Sequence, residues 1–188
     1  MEPLILECRT EHSGYLTLER LRIRLKDGAE VWREIERHGD AAAVLPYDAE
    51  RRCALIVQLF RAPVFDVRGA TRLQEACAGM IVNEEPAAAA RREALEELGV
   101  ALHRLDFVAR VWSSPGVSAE QVSLFLAPYG RADRTAEGGG IAAEHEAITV
   151  IERPLRALGA DLNHGHVEDA KLGILLLTLR FRLPELFE

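Results

Sequence analysis

Apolar and polar residues alternate over 21–26, where Leu21, Ile23 and Leu25 are interleaved with Arg22, Arg24 and Lys26, the period of a strand with one solvated face. Asp27-Gly28 supplies a turn signal and residues 31–35 run back, so the stretch predicts an antiparallel hairpin. Residues 41–45 and 53–60 are apolar runs separated by Asp48-Ala49-Glu50-Arg51-Arg52, which predicts strand, turn and strand; residues 73–78 predict a further short strand. The period then changes. Pro86 suits a first helical position, Ala87 to Ala90 favour helix and Gly99 sits where a C-terminal cap belongs, so the spacing predicts a helix over 86–98. Strands are predicted over 107–112, 122–127 and 148–151. Between the last two lies a long loop, 128–145, whose Gly138-Gly139-Gly140 reads as the hinge of a flexible lid. Two closing helices, over 154–158 and about 167–180, complete an α+β chain without internal repeats.

Composition narrows the function classes. At 188 residues, 48% apolar and 28% charged, the chain has enough apolar surface for a folded core, which excludes disorder and fibrous repeats. A net charge of −7 repels polyphosphate backbones and argues against nucleic-acid binding through a basic surface. An acidic chain that handles small phosphates must gather arginines or recruit a divalent cation. The apolar run over 174–179 falls far short of the ~20 residues of a membrane span, and Met1-Glu2-Pro3 lacks the start of a signal peptide, so a cytoplasmic protein without membrane partners is expected. Cys8, Cys53 and Cys77 form no CxxC pair and are expected to be buried thiols. His164 and His166, with no cysteine nearby, are expected to be solvent contacts rather than a second metal site.

The helix over 86–98 concentrates the chemistry. With Glu93 as origin, Glu97 falls about 40° to one side and Glu96 about 60° to the other, so three carboxylates share one face. Ala94, Leu95 and Leu98 lie towards the opposite side and point at a core. Like charges at these spacings repel by a few tenths of a kcal/mol per pair even in water. A Glu-x-x-Glu-Glu taken alone is most often a solvated face, but a hard divalent cation with oxygen ligands would turn the repulsion into attraction.

In context, Gly79, Glu85 and Arg92-Glu93-Ala94-Leu95-Glu96-Glu97-Leu98-Gly99-Val100 resemble the signature of the Nudix hydrolases, GX5EX7REUXEEXGU with U apolar. The box is one residue short: six positions separate Glu85 from Arg92, and counting from Glu84 restores seven but brings the glycine one residue too close. Within the family, the shortened box and its approach, Cys77-Ala78-Gly79 and the stretch ending at Pro86, are similar to the GDP-mannose pyrophosphatases and the ADP-ribose pyrophosphatase-like nucleoside diphosphate sugar hydrolases. Lys26-Asp27-Gly28, Arg33-Glu34, Phe60-Arg61, Ser114-Pro115-Gly116, the three glycines and Lys171 also have counterparts, and Pro115 follows Gly99 by sixteen residues. The resemblance covers about residues 13–180.

That resemblance implies a Nudix fold, an α/β/α sandwich of mixed sheets with a catalytic helix, over 41–188, preceded by an N-terminal antiparallel sheet over 1–40 that builds a homodimer. It implies that the carbonyl of Ala78 and the carboxylates of Glu93 and Glu97 hold Mg²⁺, with Mn²⁺ as a substitute, one to three ions per site. Glu96 would be a further ligand or orienter. Glu146 resembles the loop acid that completes the catalytic set as ligand or base, with Glu144 as its alternative. Tyr15, Trp32, Arg33, Glu34, Arg61, Gly79, Met80, Glu120 and Lys171 resemble substrate-binding positions, with Trp32 stacking on a base and Arg33 or Tyr15 reaching the partner subunit's site. Arg92 is expected to tie the catalytic helix to its neighbours by ion pairing.

The implied reaction is hydrolysis of the diphosphate of a nucleotide sugar, GDP-mannose-like, to a nucleoside monophosphate and a sugar 1-phosphate. ADP-ribose is the competing substrate. A non-catalytic nucleotide-sugar sensor is the alternative from another class, and the crowded glutamates argue against it because a pure binder has no need of them.

Overall fold

The computed structural model describes residues 2–140 and 147–188. The chain divides into two compact units, Met1–Asp40 with Arg110–Val122, and Ala41–Ala109 with Ser123–Glu188.

The first unit is built on an antiparallel meander, β1 (Leu4–Ser13), β2 (Thr17–Arg24) and β3 (Glu30–Arg37), in the order β1-β2-β3. The β2–β3 hairpin follows the predicted pattern: Gly28, at φ +86°, donates to Leu25 O, and the Asp27 carboxylate accepts from Ala29 N. Leu21 points inward and is buried. Strand β1 is an addition to the sequence reading. Its register on β2 shifts between Ile5 and Glu7 and again between Thr10 and His12, and each bulge flips the side-chain phase, so no alternation survives along the strand. Backbone bonds from Glu36 N to Val117 O and from Ala119 N to Glu36 O add the 114–119 turn to the edge of β3.

In the second unit β4 (Ala41–Asp48) and β5 (Cys53–Leu59) are the centre of a seven-stranded sheet of order β10-β5-β4-β9-β8, with β6 (Leu73–Glu75) on β5 and β7 (Cys77–Met80) on β4. Strands β8 (Asp106–Trp112), β9 (Gln121–Pro128) and β10 (Thr149–Pro154) complete it. Every residue of β4 is buried, which is why it reads as a continuous apolar run rather than an alternation. Ala42 and Val44 share a core with Ala89, Ala90, Ala94 and Leu98 of helix α2 (Pro86–Leu98), whose small side chains let the helix lie close to the sheet. Residues of the opposite parity point to the other face, where α4 (Ala170–Arg182) packs on β4. Arg51, in the β4–β5 turn, bonds Asp48, Glu152 and the Tyr129 hydroxyl, joining the ends of β4, β9 and β10.

Several expectations are corrected. The strand expected over 73–78 is two strands: the chain leaves β5 after Glu75 and joins β4 at Cys77, and the intervening Ala76 N donates to Asp169 Oδ2 at 3.0 Å. Helix α1 (Ala62–Arg68) has no buried residue and so carries no apolar stripe from which to predict it. Helix α3 (Leu155–His164) continues beyond 158 through Gly159, where a Cβ would come within 2.9 Å of the Phe187 ring; the glycine makes room for the closing 3-10 turn instead of ending the helix. Cys53 and Cys77 are buried as expected, whereas Cys8 is exposed on β1.

The three glycines do not form a free hinge in this structure; they cap α2. Gly139 N donates to Glu97 O and Gly140 N to Glu96 O, while Thr135 N and Ala136 N donate to Gly99 O. These bonds satisfy carbonyls that the last turn of a helix leaves without partners. Gly138 lies at φ +76°, and a Cβ there would sit 2.4 Å from Glu97 O. Because both backbone conformation and backbone contact oppose a side chain, Gly138→Ala is expected to cost about 1–3 kcal/mol in chemical denaturation. An unchanged midpoint would show that the loop does not bear on the helix end.

Candidate active site

The site is built where α2 crosses β7. Strand β7 pairs with β4 through Ala43↔Ala78 and Ala42↔Gly79, which sets the backbone of Ala78 and Gly79 against the helix. Glu93 lies so close that a Cβ on Gly79 would fall 1.8 Å from its Oε1. Glu97, only 5% exposed, accepts from Ala78 N at 3.3 Å through Oε2. Glycine at 79 therefore leaves the space that a carboxylate fills.

Arg92 organises the remaining acids. Its Nη1 donates to Glu93 Oε1 at 2.8 Å and to Glu96 Oε2 at 3.0 Å. Its Nε and Nη2 both reach Glu84 Oε1, at 3.0 and 2.8 Å, and Nη2 also donates to Met80 O. Partial burial disfavours the Arg92 charge, but hydrogen bonds to Glu84, Glu93 and Glu96 outweigh it and hold the guanidinium more firmly protonated than usual. Glu84, rather than Glu85, is the acid that meets the arginine. Glu85 is the N-cap residue of α2, with its carbonyl accepting from Ala88 N and Ala89 N. Beneath this set, burial and then the nearby Glu97 push the Cys77 thiol well above its usual range, so it is an inert neighbour.

Among the described residues no three His, Cys, Asp or Glu side chains close a metal-binding group by themselves. The donor set at the Gly79 edge is nonetheless all oxygen: the carboxylates of Glu93 and Glu97 and the backbone of Ala78. One or two carboxylates, completed by water and substrate phosphate, are what a small hard cation requires. The Cβ position of Gly79 is taken by the Glu93 carboxylate itself, so glycine there lets this donor stand beside Glu97 and the Ala78 backbone, a set whose chemistry fits such an ion. Glu144 and Glu146 lie outside the described residues. His164 and His166 end α3 and follow it, with rings 5.7 Å apart.

The expected substrate-binding residues fall into two groups. In the second unit, Arg61 and Lys171 converge on one carboxylate, Glu75. Arg61 Nε reaches Glu75 Oε1 at 2.7 Å and Nη2 reaches Oε2 at 3.0 Å, and Lys171 Nζ lies 3.3 Å from Oε2 and 2.9 Å from Asp169 Oδ1. Met80 belongs to the Arg92 cluster through its carbonyl. In the first unit, the exposed Tyr15 ring stacks on His38 at 6.5 Å, and His38 faces Glu120 through Nε2 and Glu36 through Nδ1. The Trp32 ring carries the guanidinium groups of Arg9 and Arg20 at 5.1 and 4.9 Å, Arg33 donates to Trp32 O, and Glu34 is exposed opposite Arg20. Neither Glu75 nor Asp169 is given a role by the sequence alone, although an acid just before Ala76-Cys77-Ala78 and one two residues before Lys171 belong to the matching stretches.

Comparison with known proteins agrees with this geometry. The model of the NUDIX domain matches residues 37–168. A GDP-mannose pyrophosphatase of Cronobacter sakazakii is 37% identical over 161 residues, covering 84% of this chain and 83% of its own length. One from Escherichia coli O1:K1 / APEC is 32% identical over 173 residues, 89% of each. A crystal structure of an ADP compounds hydrolase superposes with a TM-score of 0.77 over 98% of this chain and 96% of its own, at 21% identity, which bears on the fold alone. With the glutamate helix, the glycine edge and the sheet order in place, the chain belongs to the Nudix hydrolase family, as an enzyme of the pyrophosphatase type.

Proposed function

We propose that this enzyme is a Mg²⁺-dependent hydrolase of a nucleoside diphosphate sugar, GDP-mannose-like, releasing a nucleoside monophosphate and a sugar 1-phosphate. The observation that carries the reading is the α2 carboxylate set packed against Gly79, where the Arg92 guanidinium meets Glu84, Glu93 and Glu96 and Ala78 N meets Glu97. The pyrophosphatase names of relatives that match over most of their length support the substrate class.

A bound Mg²⁺ would neutralise non-bridging diphosphate oxygens and lower the pKa of a water molecule. The chain's own residues prepare for it. Ala78 N fixes one oxygen of Glu97, Arg92 holds Glu93 and Glu96 on the same side of the helix, and the glycine cap ties the end of α2 to the loop that leads to Glu144 and Glu146. One of those two acids, Glu146 first, serves as the base that takes the proton from water. Arg61 and Lys171 face the anionic substrate; Tyr15, Trp32, Arg33, Glu34 and Glu120 on the N-terminal unit complete recognition across a homodimer. Action in the cytoplasm is part of the same reading, in which the free, buried Cys53 and Cys77 serve as core residues.

The primary test is product release from GDP-mannose, ADP-ribose and other nucleotide sugars, with Mg²⁺ and with chelator. Metal-dependent cleavage with GDP-mannose preferred is expected; binding without cleavage of any of them would favour a sensor. In the same assay Glu97→Gln is expected to lower turnover by about two orders of magnitude while the purified protein stays folded, and a near wild-type rate would overturn the site.

Gly79→Ala separates geometry from stability. The obstructed atom is the mobile end of Glu93, so unfolding is expected to shift by less than about 1 kcal/mol. Activity is expected to fall about tenfold or more, with a raised Mg²⁺ requirement, because the carboxylate must leave its place. An unchanged Mg²⁺ titration would show that Glu93 is not a ligand.

A further inference from the structure

The Glu75 carboxylate is nearly inaccessible, with its side chain 4% exposed, yet the two cations it binds are not: the Arg61 side chain is 44% exposed and that of Lys171 25%. The acid is thus the floor of the cluster and the cations its outer face. Arg61 is held through two parallel N–H···O bonds, a geometry that fixes the plane of a guanidinium as well as its position. Lys171 shares the same Oε2 and is held from the other side by Asp169, which also accepts from Ala76 N and caps α4 through Lys171 N and Leu172 N.

We propose that Glu75 is a positioning residue for substrate binding: its buried carboxylate holds Arg61 and Lys171 in one shared orientation towards the anionic groups of the nucleotide sugar. The inference rests on the assignment of those two cations to the substrate made above. Three observations support it beyond simple ion pairing. A whole buried ion pair can often be replaced by apolar residues without loss of stability, although removing one partner alone is costly, so holding the fold does not by itself call for a carboxylate here. Lys171 is held by both Glu75 and Asp169 while Arg61 is held by Glu75, so one buried carboxylate fixes the two cations relative to each other. The junction that carries Glu75 continues through Ala76, pinned by Asp169, into Cys77, Ala78 and Gly79, so the cation pair and the carboxylate edge of α2 are set by one short piece of backbone. Burial would raise the Glu75 pKa, but hydrogen bonding to Arg61 and the charge of Lys171 lower it below the ordinary range, so it stays ionised at neutral pH.

A double-mutant cycle tests the inference, with kcat and KM for GDP-mannose measured in Glu75→Gln, Arg61→Ala and the double variant. Each single variant is expected to raise KM about tenfold with kcat changed by less than about threefold, and the double variant to show the same rise of about tenfold over wild type rather than about a hundredfold. A multiplicative double variant, or an unchanged KM in Glu75→Gln, would overturn the inference while leaving Arg61 with the substrate. An unchanged KM in Arg61→Ala would overturn the assignment of Arg61 itself and the inference with it. Should Glu75→Gln not fold, Arg61→Lys carries the test: it keeps the charge but not the two parallel bonds, so a KM near that of Arg61→Ala is expected and a wild-type KM would overturn the proposal.

Discussion

Four crowded carboxylates, three of them gathered by the Arg92 guanidinium, are the constraint on which the rest of the second unit depends. Glu93, Glu96 and Glu97 stand on one face of α2 and Glu84 just before it, and Arg92 bridges Glu84, Glu93 and Glu96. Arg92 reduces the repulsion without cancelling it, so the helix has to be held by other means. Ala89, Ala90 and Ala94, all fully buried, press it onto β4 and β5; Pro86 and Gly99 set its ends; and the backbone of 135–140 satisfies its last carbonyls. What is gained is a set of acids whose positions do not relax away from one another.

The contrast with the other charged clusters makes the point. Glu75 and Asp169 meet Arg61 and Lys171 in equal number, and at the β4–β5 turn Arg51 joins Asp48 and Glu152 with the Tyr129 hydroxyl between them. In both places burial of the acids is offset by direct hydrogen bonds, and Asp48, Glu75 and Glu152 are all held below the ordinary carboxylate range. Among the described residues the α2 cluster carries the largest excess of acids of the three, with Glu84, Glu93, Glu96 and Glu97 around Arg92. A net charge of −7 that discourages polyanions in general therefore includes a local surplus suited to a cation and, through it, to a diphosphate.

Much of this was legible in the sequence because the residues involved act locally. Pro86 and Gly99 bracket α2, the spacing of Glu93, Glu96 and Glu97 places them on one face, and the apolar runs over 41–45 and 53–60 announce β4 and β5 with the turn between them. What was not legible depends on partners distant in the chain or on broken periodicity. Two bulges conceal β1, an exposed surface conceals α1, and Gly159 reads as an interruption until Phe187 is seen beside it. The glycines of 138–140 suggest freedom when read alone, and only their bonds to Glu96 and Glu97 reveal a cap. Glu84 and Glu85 are indistinguishable by counting and distinct once Arg92 chooses between them. Glu75 needs Arg61 and Lys171, 14 and 96 residues away, to acquire meaning.

The central claim, that the surplus of acid on α2 is there to hold a divalent cation, is tested most directly by thermal unfolding of the wild-type chain and of Glu93→Gln over a titration of Mg²⁺ against chelator. Binding to the folded state alone predicts a Tm that rises with Mg²⁺ in the wild type, in proportion to the logarithm of concentration above saturation, and rises much less in Glu93→Gln. A wild-type Tm indifferent to Mg²⁺, or the same rise in both proteins, would contradict the account.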